Sequence, residues 1–88
     1  MKKLENFIVR NIAGEYIMMP VGKTALKFNG LIQANEVSAF IWQHIEEVND
    51  LNELTNMICQ EFDVDYARAY HDLNHIIEQL IQAKWIEK

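Results

Sequence analysis

Three stretches of short alternation precede three stretches of helical periodicity along the chain. Phe7 to Ile12, "FIVRNI", is β-branched and roughly alternating, as a half-buried strand requires. Ala13-Gly14 breaks it, and glycine tolerates the positive φ of a tight hairpin turn. Glu15 to Pro20, "EYIMMP", reads as the returning strand, closed by a proline that has no N–H for a ladder. Val21 to Asn29 is a connector. Asn29-Gly30 is a turn signal, and residues 30–34, "GLIQA", follow as a short third strand.

The period then changes. Asn35 is a good N-cap for a helix over 36–47 that gathers Val37, Phe40, Ile41, His44, Ile45 and Val48 on one stripe. Asp50 and Glu53 have the spacing of a capping box for a second helix over 51–62, with Leu51, Leu54, Ile58 and Phe62 on its apolar face. Asp65 caps a third helix over 66–83. Its stripe of Tyr66, Tyr70, Leu73, Ile77 and Leu80 is widened by Ala69, Ile76 and Ala83 on one side and by Ile81 on the other. So wide a stripe meets more than one partner surface. Trp85-Ile86 continues apolar past the helix, as a short final strand or a chain end laid on the core. The pattern predicts one α+β domain over residues 1–88, winged helix-turn-helix-like, with a three-stranded antiparallel sheet followed by three helices.

Composition narrows the classes of function. At 88 residues, a single core leaves little room for an enclosed active site. The lone Cys59 excludes an internal disulfide framework and fits a reducing cytoplasm. No apolar run approaches the ~20 residues of a membrane span, and Met1-Lys2-Lys3 leads into Leu4-Glu5-Asn6 rather than into the apolar core of a signal peptide. The net charge is −5, and no Lys or Arg occurs from Phe28 to Ala67, a stretch with eight acidic residues. Elements built from it repel phosphate, which argues against nucleic acid. A winged-helix DNA-binding regulator is compatible with the helix order but not with a third helix that holds only Arg68 within it and Lys84 at its end.

Candidate chemistry is sparse. His71 and His75 have the i, i+4 spacing of a metal pair, yet no further His or Cys motif points at them, and a solvated helix face explains them. His44 sits on an apolar stripe, as a packed histidine does. Cys59 has acidic neighbours, which oppose thiolate formation. Met18-Met19 reads as core filling. There is no phosphate loop, serine elbow or paired carboxylate site, so the sequence calls for no enzyme, no cofactor and no metal. The third strand is the exception to this blandness. Residues 30–34 carry no Lys, no Pro and no charge, although natural edge strands are normally blunted by such residues. An edge left open beside a wide apolar helix forms a groove into which an extended peptide can add as a further strand. The alternatives are that Trp85-Ile86 or the N-terminal arm covers the edge, or that two copies pair through it as a homodimer.

The same residues carry a resemblance. "ANEVSAFIW" resembles the "LNxxGxxIW" signature that opens the first helix of the PqqD-like family, "EYIMMPVGKTALKFNGLI" resembles its second and third strands, and "LNELTNMICQEFDVDYARAYHDLNHIIEQLIQAKWIE" its second and third helices. The resemblance runs from about Val9 to Glu87. It implies a non-catalytic recognition element that binds the leader of a ribosomally made precursor peptide between third strand and third helix. It also implies that the element presents the leader to a modifying enzyme, often a radical S-adenosylmethionine protein. On matched positions it points to Gly30, Leu31, Ile32, Gln33 and Ala34 as the docking edge and to Tyr66, Ala69, Tyr70, Leu73 and Ile77 as the helical wall. The chain departs from the pattern at Ala34 (usually Leu), Ser38 (usually Gly), Tyr66 (often Pro) and Lys84 (often Gly).

Overall fold

A computed structural model describes residues 1–88. In chain order it holds β1 (Lys2–Lys3), β2 (Phe7–Ile12), β3 (Glu15–Pro20), a 3₁₀ turn (Gly22–Leu26), β4 (Ile32–Ala34), α1 (Glu36–His44), α2 (Leu51–Phe62), α3 (Tyr66–Gln82) and β5 (Ile86–Glu87). The architecture is α+β: a three-stranded antiparallel sheet ordered β2-β3-β4, three helices, and a separate ribbon of β1 against β5. No helix is long and apolar enough to cross a membrane.

The hairpin of β2 and β3 is set by two residues. Ala13 and Gly14 both have positive φ, 53° and 84°, as the type I′ turn requires for strands that twist right-handedly. Asn11 fixes the turn by accepting the Gly14 N–H at 3.1 Å. Each helix starts where its cap residue stands: the Asn35, Asp50 and Asp65 side chains accept from the N–H groups of Ser38, Glu53 and Arg68. Glu53 also reaches back, to the main chain and side chain of Asn49 rather than of the cap itself.

Three boundaries differ from the sequence reading. β4 is paired over 32–34 only, because Gly30 turns left-handed at φ 82° and keeps itself and Leu31 out of the ladder. α1 stops at His44, three residues early, in a turn closed by the Glu47 N–H on the His44 carbonyl at 3.0 Å. α3 ends at Gln82 in a two-bond cap: Trp85 N–H to Leu80 O and Lys84 N–H to Ile81 O, both 3.0 Å. That cap needs a left-handed residue, and Lys84 supplies it at φ 64° where a glycine would be at ease. Replacing Lys84 with Gly is expected to stabilise the chain by about 0.5–1 kcal/mol, read as a rise in the denaturant midpoint at unchanged m-value. An unchanged or lower midpoint would show that the lysine stem contributes more than the backbone strain costs.

The core lies between one sheet face and the helices. Phe7 and Met18 from the sheet, Ile41, Trp42, Ile45 and Val48 from α1 and its exit, Leu54 and Ile58 from α2, Ala69, Leu73 and Ile77 from α3, and Ile86 from β5 are all buried in one cluster. An aromatic group pins the two chain ends into it. Phe7 lies 4.5 Å from Trp85, 5.5 Å from Phe28 and 5.7 Å from Trp42, centroid to centroid. The chain's own tail therefore pairs with the N-terminal arm, Lys2 opposite Glu87 and Lys3 opposite Ile86, and not with β4.

A polar latch holds the arm to the 3₁₀ turn. Thr24 accepts the Asn6 N–H at 2.7 Å and donates to Glu5 at 2.8 Å, and Lys27 donates to the other Glu5 oxygen at 2.8 Å. Hydrogen bonds from Lys27 and Thr24 hold the Glu5 carboxyl below its ordinary value of 4.5. A carboxylate with a depressed folded value adds stability above the unfolded value, and that stability is lost as pH falls through the folded one. Glu5→Gln is accordingly expected to melt below the parent at neutral pH, with the gap closing as pH drops beneath 4.5. A gap that stays constant with pH would refute the latch.

Candidate peptide-binding cleft

The polarity of each strand residue follows from the hairpin. In a two-residue hairpin the closing pair, Ile12 and Glu15, exchanges main-chain hydrogen bonds, and every second pair repeats this. The Val21 N–H, 3.0 Å from the Asn6 carbonyl, continues the same series. Ile17 therefore directs its N–H and C=O at β2, whereas Tyr16 and Met18 direct theirs at β4, where their partners are Ala34 and Ile32. Gln33, between those two, faces the other way. Its N–H and C=O point off the sheet along the open edge of β4, which no strand of the chain covers.

Beside that edge lies a cleft of about 280 Å³. Ile32, Gln33, Ala34 and Met18 form its sheet side, Ile76, Gln79 and Leu80 of α3 its helical side, with Trp42, Trp85, Asn35 and Ser38 between. None of these residues carries a charge. Ile76 and Leu80 are half-buried on the core's flank, so their outer surfaces remain available. Trp85 is held by Phe7 and Phe28, which makes that part of the wall rigid. Two of the positions at which the sequence departs from the family pattern, Ala34 and Ser38, line the cleft.

The structure brings together only some of the residues singled out from sequence. Ile32, Gln33 and Ala34 are at the cleft. Gly30 and Leu31 precede the paired strand, with Leu31 61% exposed. On α3 the assignment shifts by one side of the helix. Ala69, Leu73 and Ile77 are buried in the core and have no surface to offer a ligand. Tyr66 and Tyr70 stack on each other, centroids 6.0 Å apart, and Tyr66 donates to Asn52 of α2, so they sit toward α2 and away from β4. Sequence reasoning had placed Ile76 and Leu80 on the wide stripe without marking them as wall, and it missed Gln79, Ser38 and Trp85. The other candidates stay bland. His44 packs against Phe40 and bonds Glu47, Cys59 is free and half-buried, and no group of three or more His, Cys, Asp or Glu side chains is placed to hold a metal ion.

A family model described as coenzyme PQQ synthesis protein D (PqqD) matches residues 15–86, from β3 to β5. No curated protein matches the chain. Among solved structures, one described as TbiB1 in complex with the TbiA(beta) leader peptide superposes with a TM-score of 0.68 at 22% identity, over 99% of this chain and 95% of that one. At that identity the likeness shows a shared fold.

Proposed function

Since the chain belongs to the PqqD family, we propose that it is a non-catalytic adaptor that captures the leader of a ribosomally made precursor peptide and presents it to a modifying enzyme of the radical S-adenosylmethionine type. The leader joins the sheet as a fourth strand on β4. Gln33 supplies the central main-chain donor and acceptor, and alternate leader side chains enter the cleft walled by Ile76, Leu80 and Trp85. The observation that carries this reading is the open β4 edge lying against an uncharged, largely apolar cleft. The fold shared with a chain described in complex with a leader peptide supports it.

The test is titration of the isotope-labelled chain with a panel of synthetic leader peptides of ribosomally made precursors. Amide shifts are expected to cluster at residues 31–35 and 75–80 and at the Trp85 indole, with affinity near the micromolar range, about −8 kcal/mol. Shifts elsewhere with Gln33 silent would overturn the reading. A second copy seated on the same edge would compete for the same hydrogen bonds. Dimer mass that disappears on adding peptide would identify that competition.

A further inference from the structure

The cleft itself is uncharged, so any charge preference for the captured strand is set where the cleft opens. Asn35 and Ile76 at one end of the cleft also line a wider, open hollow, together with Glu36 and Val37 of α1 and His71, Asp72 and His75 of α3. Two carboxylates face this hollow and no lysine or arginine lines it. Arg68 reaches Asp72 only at 3.9 Å between two well-exposed side chains, which offsets little of the acid. The surrounding field has the same sign. Residues 35–88 hold three cations against eleven anions.

Resting on the adaptor reading, we infer that the captured strand carries an apolar residue in the cleft and a lysine or arginine about two residues away, which docks against Glu36 and Asp72. The spacing follows from element geometry. Asp72 lies four residues of α3 before Ile76, about 6 Å along the helix, and two residues of an extended strand laid along that helix advance about 6.6 Å while returning the side chain to the same face. A cation there meets complementary charge, and the acidic helical half steers it in.

Selection from a displayed library of random peptides of about 12 residues, long enough to span the edge with both flanks free, reads this directly. Run on the His71→Gln, His75→Gln variant, which removes both imidazoles from the hollow, the selection leaves only the carboxylates to decide. Enriched peptides are expected to favour Lys or Arg over Asp or Glu beside the apolar anchor by on the order of 5-fold, a preference that weakens in high salt. The double variant Glu36→Lys, Asp72→Lys, both at exposed positions, is expected to reverse it. Enrichment of apolar strands that is blind to charge, or that favours acids, overturns this inference and leaves strand capture standing. No enrichment of any peptide, with the circular dichroism spectrum intact, removes strand capture and this inference with it.

Discussion

Gln33→Pro is expected to lower leader affinity by about tenfold or more while leaving the chain folded. The outward N–H of Gln33 is not used by β3, so proline removes a hydrogen bond that only an added strand makes, worth roughly 0.5–1.5 kcal/mol, and sets its ring where that strand must approach. An edge strand tolerates proline on its solvent side, and Ile32 before it is already extended, as a residue preceding proline prefers to be. The folded state should therefore melt within a few degrees of the parent. Gln33→Ala is the control, because it keeps the main chain and deletes the side chain. If the alanine variant binds as poorly as the proline variant, the glutamine side chain is doing the recognition and strand addition is wrong. If neither changes binding, β4 is not the docking edge.

How legible this site was in the sequence depends on how local each signal is. The hairpin announced itself through Ala13-Gly14, and the helix starts through Asn35, Asp50 and Asp65, because a turn and a cap are made within four residues. The ribbon of Lys2–Lys3 with Ile86–Glu87 had no such signature. Two-residue strands have no period, and their pairing is set by packing of Trp85 on Phe7 from the far end of the chain. The helical wall was misjudged for a related reason. A stripe as wide as that of α3 states that two surfaces are met, but not which sector meets which. The core takes Ala69, Leu73 and Ile77, and the flank of Ile76 and Leu80 is left to the cleft. The charge-free run before Ala34 did mark the open edge, since the absence of edge protection is itself a local property.

Trp42→Ala is expected to be the most destabilising single change in the chain. Trp42 is 2% exposed, its indole N–H donates to the Phe7 carbonyl at 3.2 Å, and its ring meets Phe7 and Trp85 edge-on at 5.7 and 6.1 Å. The Lys3 ammonium sits 4.8 Å above the ring, close enough that burial pushes the Lys3 value down despite Glu46 and Glu47 beside it. Truncation opens a cavity between sheet and α1, at a cost of about 3–5 kcal/mol. It also strands the Phe7 carbonyl, roughly 1–3 kcal/mol more where no water enters. A chain of this length has a total stability of roughly 4–13 kcal/mol, so a large unfolded fraction at room temperature is the expected reading in urea titration and in loss of near-ultraviolet dichroism. Trp42→Phe keeps most of the volume and loses the donor, so it should fall between parent and alanine variant, at about 1–3 kcal/mol. Because Trp42 and Trp85 share the back of the cleft, this milder variant also tests the link between core and site. A folded Trp42→Phe chain that binds leader less tightly places the aromatic group in charge of cleft shape, whereas unchanged binding confines its role to holding the two chain ends together.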